Sequence, residues 1–469
     1  MVYVNDVHSK LSCTRVRSIA KIKSTEGLCQ AVNEARQSGC AISVFGGRHS
    51  LGGQPFLTDS ISLDLSEFNQ VVDLDLETGI LRIQGGCRWP DIRAFLAKQS
   101  PSNGTEWEIH QKQTGVDSIS VAGSVSINAH GNVLGSGPIS SDIVWIKLVG
   151  PDGVEVYCDR QVNPELFGLV VGGMGLFGVF SEIGIQLVPK QRFLRHSSVK
   201  HALDAIKLWS EQEHSYEYGD MQLNIDPNSN GFLDLGIANQ REPIGSETEI
   251  RRSVTAADWA QLLALAHFDK EKAFECYKAY ASQVDGHVEN RDDFNWDFYQ
   301  ENYHEALEAQ FELPRGSEVL AEFFIPAGRA KQLLEDARAG ARRLKIEIVL
   351  ATLRAIEACE VSFLRWAKRD YICLVMAMHT EHTEESLSRT DQFCALLSET
   401  CCQNHGSFYL PYRRFASGEQ LQAAYPNLEE FIRKKMQYDP NGLFGSDWFE
   451  SIKRIATSKS FRLSQPIEA

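Results

Sequence analysis

The chain has 469 residues, 43% hydrophobic and 23% charged, with a formal net charge of -15. That length holds two or three cores of ordinary size, and the acidic balance excludes the clustered positive charge of a nucleic-acid binder. The uncharged stretch 166–181 contains five glycines and falls short of the roughly 18 apolar residues a membrane span needs, so no transmembrane segment is predicted.

In chain order, residues 1–23 lack an apolar run and a small-residue cleavage site; no secretory signal is read, and a cytoplasmic location is expected. Residues 24–39 predict a helix opened by a capping box of Ser24 with a following glutamate and closed by Gly39. Strands are expected at 41–45 and 61–66, then a hairpin over 70–86 turning near 77–79, then a helix over 89–99. This order lacks the regular strand–helix beat of a doubly wound sheet, so the expected class is α+β. Beyond residue 189, helices at 255–283, 327–344 and 383–400 alternate with isolated strands at 221–227, 318–326 and 371–379, suggesting a second α+β unit. The polar, aromatic stretch 286–310 either covers a site or makes a surface excursion. After residue 409 a helix leads into a turn, and the last dozen residues are expected to fray. Eleven cysteines, odd in number and without a CxxC pair, read as reduced thiols, so no metal site is expected.

The loop after the 41–45 strand, "FGGRHSLGGQ", sets four glycines around Arg48, His49 and Ser50. Such a loop permits positive φ and bares backbone N–H groups for an anion such as a pyrophosphate. His49 is either a hydrogen-bonded bystander or a nucleophile, since a neutral imidazole adds no fixed charge. The stretch 114–131 reads as a second loop, rich in small residues, that lets backbone approach a ligand closely. Gly173 to Gly178 fits G-x-G-x-x-G, but the residues after it alternate like a strand, whereas the dinucleotide fingerprint must open a helix. Three glycine-rich stretches without that unit point to one extended ligand, and FAD is the dinucleotide that suits them. Downstream, the 318–326 strand puts Leu320, Glu322 and Phe324 on one face, where Glu322 is either solvated or part of a roof over the ligand.

The succession "FGGRHSLGGQPF", "GGCRWPDI", "SVAGSVSINAHG" and "LVGPDGVEVYCDRQVNPELFGLVVGGMGLFGVFSEIGIQLVP" resembles the FAD-binding domain of the vanillyl-alcohol oxidase/p-cresol methylhydroxylase superfamily over roughly residues 15–190. With "FYLPYRRF" and "YDPNGLF", it is most similar to the sugar, polyol and aldonolactone oxidases and the decaprenylphosphoryl-ribose 2-oxidase type. The resemblance implies a two-part FAD-binding domain of the p-cresol methylhydroxylase type over 1–190. An α+β substrate-binding cap domain over 191–408 would lay an antiparallel sheet over the flavin, and a segment over 409–469 would return to the FAD domain.

It further implies FAD contacts at Gly46, Gly47, Arg48, His49, Ser50, Gly53, Gln54, Gly115, Ser118, Ser120, Val121, Ala122, Gly123, Ile127, Asn128, His130, Val179 and Tyr409. His49 stands where many members bond covalently to the flavin, and Ser118 stands where a second, cysteinyl link would come, so a single covalent bond is implied. The decaprenylphosphoryl-ribose type lacks that histidine, which turns the resemblance towards soluble sugar oxidases. Ala129 occupies a position tied to oxygen access in aldonolactone dehydrogenases. Implied catalytic positions are Glu322, Arg354, Tyr409 and Tyr412; a lysine common near Tyr412 is absent, so Arg413 is expected to supply a cation. The implied activity is oxidation of an alcohol of a sugar, polyol or sugar lactone by hydride transfer to FAD, with O2 or another electron acceptor. Two alternatives remain: the same fold acting on benzylic, phenolic or amine-bearing molecules, or a flavin-binding protein without turnover.

Overall fold

The computed structural model describes residues 2–99, 104–210, 215–245, 256–294 and 303–456. Part of the polar, aromatic stretch (295–302) and the end expected to fray (457–469) lie outside them.

A parallel unit comes first: β1 (Ser18–Lys21), α1 (Thr25–Ser38), β2 (Ile42–Phe45) and β3 (Ile61–Asp64), with β3 between the other two strands. α1 buries Leu28, Val32 and Ala35, spaced by four and three residues along one helix face. Ser24 caps it by accepting a hydrogen bond from the Gly27 N–H at 3.1 Å, and Gly39 closes it in the left-handed conformation. The expected capping box is not there. The residue three beyond Ser24 is Gly27, and Glu26 stands one position too early to reach back.

Next comes an antiparallel sheet, built from β4 (Val71–Asp75), β5 (Ile80–Gln84), β6 (Ile143–Val149), β7 (Glu155–Asp159) and β8 (Val179–Gln186) in the order β7-β6-β8-β5-β4. In β5, Leu81 and Ile83 point inward while Ile80, Arg82 and Gln84 stay half-buried, the alternation a one-sided sheet requires. Between β5 and β6 lie α2 (Trp89–Leu96) and α3 (Val121–Ser126). α3 occupies the stretch read as bare loop. The Ser120 hydroxyl accepts from the Gly123 N–H at 3.2 Å, and burial of Val121 and Val125 winds a turn and a half from residues of low helix propensity. Gly178 runs straight into strand β8, so the G-x-G-x-x-G run opens no helix.

The strands read as isolated join others in one eight-stranded antiparallel sheet. Its members are β9 (Arg192–His201), β10 (Tyr218–Leu223), β11 (Leu235–Ile244), β12 (Val288–Asn290), β13 (Gly316–Ile325), β14 (Glu347–Ile356), β15 (Tyr371–Glu381) and β16 (Ser407–Phe408). They are ordered β12-β9-β11-β10-β14-β15-β13-β16. Its helices include α4 (Ala256–Phe268), α5 (Lys270–Val284), α6 (Tyr303–Phe311), α7 (Ala330–Leu344) and α8 (Glu384–Gln403). One long helix was expected where α4 and α5 lie; Asp269 divides it by capping α5 at the Lys272 N–H, 3.0 Å away. α8 packs on β13 and β15 and against α7, burying Phe393 and Leu397. β13 is buried on both faces, because its opposite face closes a cavity.

Buried charge and backbone hydrogen bonds tie down the two ends of this architecture. At the far edge of the eight-stranded sheet the cross-strand neighbours Arg195 and Arg241 both bind Glu289 of β12, through Nη1–Oε1 at 3.0 Å and Nε–Oε2 at 3.1 Å. At the other end, the C-terminal residues return to β2 and its loop. The Leu51 N–H donates to Pro411 O at 3.0 Å, Gln54 Nε2 to Leu410 O at 2.7 Å, and the Gly445 N–H to Ile42 O at 3.0 Å. No helix among the described residues is long and apolar enough to cross a membrane.

Candidate active site

The cavity lies between the glycine-rich segments of the N-terminal half and the face of the eight-stranded sheet that carries Glu318 and Glu322, with Tyr409, Pro411 and Tyr412 completing its wall. Residues 44–51, 113–116, 119–130 and 174–180 supply parts of one side; Glu318, Leu320, Glu322, Val349, Leu350, Arg354 and Ala377 supply the other. The glycines are spatial requirements. A Cβ on Gly47 would fall 2.4 Å from the His49 ring and 2.8 Å from Ser118 O, so the imidazole folds back over bare backbone.

His49 is held at both nitrogens: Nδ1 lies 2.8 Å from Nε2 of His8, and Nε2 lies 3.2 Å from the Ser118 hydroxyl. Burial, and then the neighbouring His8, push its pKa down to about 3, so the ring is neutral at physiological pH and keeps a nucleophilic lone pair. His8 comes from the turn between the N-terminal strands Val2–Val4 and Thr14–Val16, where the Asp6 carboxylate accepts from the N–H groups of His8, Ser9 and Lys10. Its role could not be read from the sequence, because the pairing is made across 41 residues in space.

A second centre forms around Glu322 of β13. Its Oε2 lies 2.6 Å from His130 Nε2, and its Oε1 accepts from the Tyr412 hydroxyl, also at 2.6 Å. His130 Nδ1 lies 3.0 Å from Gly131 O, so both ring nitrogens face acceptors and both are satisfied only as donors. Burial pushes the Glu322 carboxyl up, but His130, Tyr412 and Arg354 outweigh it and hold the group below its ordinary range. Phe324, Trp366 and Tyr409 stand 5.9, 5.3 and 6.2 Å from the His130 ring and keep water from this pair. The Tyr409 hydroxyl donates to Ile127 O at 2.8 Å, which makes Tyr409 a wall rather than a proton carrier.

Of the expected catalytic residues, Glu322, Arg354, Tyr409 and Tyr412 meet at the cavity. Arg413 does not: its guanidinium forks onto Asp391 of α8 at 2.6 and 3.0 Å, outside the cavity wall. The cation that does reach the wall is Arg354, which donates to Thr114 Oγ1 and keeps a buried Nε without a hydrogen-bond partner. Among the expected FAD contacts, Gly46, Gly47, Arg48, His49, Ser50, Gln54, Gly115, Ser120, Ala122, Gly123, Ile127, His130 and Val179 line the cavity. Gly53, Ser118, Val121 and Asn128 do not. Ser118 instead supports His49, Val121 enters the core, and Asn128 bonds Cys359 Sγ and the Ser140 N–H. Missed altogether were His8 and Glu318, both on the wall. Glu318 could have been found, since it shares the strand parity of Leu320 and Glu322.

The wall fits a large flat cofactor. At Gly115 (φ +96°) and Gly175 (φ +73°) a Cβ would meet nothing within 4 Å, so positive-φ backbone lies open to the space between the two halves. Residues 16–159 match the family model described as FAD binding domain. That match lies in the N-terminal part of the chain and leaves the eight-stranded sheet outside it. Among curated proteins, the chain is 28% identical over 151 residues to the mitochondrial L-galactono-1,4-lactone dehydrogenase of Brassica oleracea, covering 32% of this chain and 24% of that protein. It is 28% identical over 155 residues to cytokinin dehydrogenase 2 of Arabidopsis thaliana (32% and 29%), and 24% identical over 173 residues to L-gulonolactone oxidase of Mus musculus (36% and 38%). The chain thus spans well under half the length of these relatives.

The tight packing of the His49 loop makes it sensitive to a single methyl group. Gly47→Ala should reduce bound FAD per chain, because the new methyl displaces either the His49 ring or the Ser118 carbonyl from the wall. The check is the ratio of flavin to protein absorbance after purification; an unchanged ratio would show that the wall yields freely.

Proposed function

We propose that this chain is an FAD-dependent oxidoreductase acting on a CH–OH group of a sugar, polyol or sugar lactone. The observation that carries the reading is the Glu322 carboxylate, ionised, buried, and held at 2.6 Å by both His130 and Tyr412 on the cavity wall. Bound FAD supplies the acceptor for the carbinol hydride. The chain must then take the hydroxyl proton, and Glu322 is placed to do so: Oε1 has a second lone-pair direction beside its bond from Tyr412. His130 stays hydrogen-bonded to Oε2 and fixes the carboxylate plane. Arg354 Nε offers a buried donor to a substrate oxygen as negative charge gathers there. Phe324 and Trp366, packed behind the wall against His130 and Tyr409, exclude water there, which strengthens each of these interactions.

The choice of sugar lactones follows the names of two of the relatives, L-galactono-1,4-lactone dehydrogenase and L-gulonolactone oxidase. A second reading, oxidation of an amine-bearing or largely apolar molecule, has its own support: Leu263, Leu320, Val349, Leu350 and Ala377 make much of the sheet side apolar, and cytokinin dehydrogenase 2 is another relative. Anaerobic bleaching of the flavin by a panel of sugar lactones, polyols and apolar amines separates the two, and admitting air then separates oxidase from dehydrogenase. A flavin that none of the panel bleaches would overturn both.

The reading includes one covalent bond from His49 to the flavin. His49 is neutral and lies on the cavity wall, with its ring fixed by His8 and Ser118. Acid precipitation should leave the yellow colour in the pellet, and His49→Ala should release it to the supernatant while slowing turnover by about tenfold, or about 1.4 kcal/mol of barrier. Colour wholly in the supernatant from the unaltered chain would refute the bond.

A further inference from the structure

The cavity wall also carries, at Glu318, a cluster that the proposed oxidation does not use. Glu318 of β13 and His379 are direct cross-strand partners on β13 and β15, so their side chains share a face. α4 brings His267 to the same carboxylate and α6 brings His304. Glu318 Oε1 lies 3.3 Å from His379 Nδ1 and 3.6 Å from His267 Nε2, and Oε2 lies 3.2 Å from His304 Nδ1. All four side chains are at most 16% exposed. The donor atoms of His267, Glu318 and His379 fall within 4.8 Å of one another.

We propose that this cluster is a binding site for one first-row divalent cation, with Zn2+ the best fit. Zinc takes nitrogen and oxygen donors at about 2.0–2.1 Å, and in a tetrahedron this sets neighbouring donors about 3.4 Å apart. The two edges from Oε1 already stand at 3.3 and 3.6 Å, so only the imidazole–imidazole edge must close. His379 meets the carboxylate as a hydrogen-bond partner, and His267 at 3.6 Å and His304 at 3.2 Å close on it from the two helices. Two imidazoles and one carboxylate, with His304 beside the other carboxylate oxygen, suit Zn2+ and its neighbours in the series and disfavour Mg2+ and Ca2+, which prefer oxygen. Glu318 lines the cavity, so the ion would sit in the wall of the chamber that receives the substrate. The sequence conceals this site because its donors come from two strands and a helix far apart in the chain.

The test is independent of turnover. The untagged, flavin-loaded chain is stripped with chelator, incubated with Zn2+, Mg2+ or Ca2+, desalted, and assayed for metal by mass spectrometry. About one Zn2+ per chain should remain, with neither of the other ions retained. Glu318→Gln should weaken Zn2+ by more than about tenfold, the least that loss of a supporting group costs. The double change His267→Ala/His379→Ala should abolish retention. Flavin absorbance per chain certifies folding of each variant; if the double variant fails it, His379→Gln replaces it, with the same expected loss. Zn2+ washing out of the unaltered chain, or equal retention by folded variants, would overturn the proposal.

Discussion

Glu322→Gln should lower kcat by about 10²–10⁴-fold, the range that a positioned acid–base group supplies, while the protein keeps its flavin. Glutamine preserves the shape and can still accept from Tyr412, so a loss of rate would report the missing proton acceptor rather than a collapsed wall. The pH profile adds a second reading. Because the folded carboxyl sits below its ordinary range, the active ionised form persists above that depressed value and is lost as pH falls through it. A kcat/KM profile that stays level through the ordinary carboxylate range is therefore expected. A fall at neutral pH that Glu322→Gln removes, or a variant within threefold of the unaltered rate, would assign the base elsewhere.

Glu289→Gln should destabilise the fold by about 3–5 kcal/mol, because it leaves Arg195 and Arg241 buried and charged without their shared carboxylate. Burial pushes the Glu289 carboxyl up, but the two guanidiniums overcome it and bring it below its usual value. Its contribution is thus present above the unfolded carboxylate pKa and lost as pH falls through the folded one. The measurement is the urea midpoint of flavin-loaded chain at neutral pH. A shift worth less than about 1 kcal/mol would mean that water or Asp220 takes over the charge, as Asp220 Oδ2 lies 3.9 Å from Arg241.

The range over which each signal acts decides what the sequence revealed and what it hid. Period-two alternation put Glu322 on the face of β13 that meets the cavity, and glycine clustering marked the loop whose residues 46–51 line it, since both are local patterns. α3 was taken for loop because Gly123 and its serines are poor helix formers, and only the Ser120 cap told otherwise. Arg413 was misplaced for a different reason: a run of two arginines gives no direction, and Asp391, which claims it, lies 22 residues away on α8. His8 and the three histidines around Glu318 were invisible as groups, because each meets its partner only through the tertiary fold.

The return of residues 409–447 to the first loop also sets an order of events during synthesis. Leu51 and Gln54 are tied to Pro411 and Leu410, and Gly52 is kept free of a side chain because Tyr412 O would lie 2.2 Å from its Cβ. A ribosome that has made the whole 16–159 segment has therefore made only one side of the pocket, and until residue 409 is added the chain still lacks Tyr409 and Tyr412. Cofactor capture then waits until residues 409–412 have been made and have folded back onto the first loop. A truncation ending before residue 409 should emerge colourless even where its N-terminal sheets have formed.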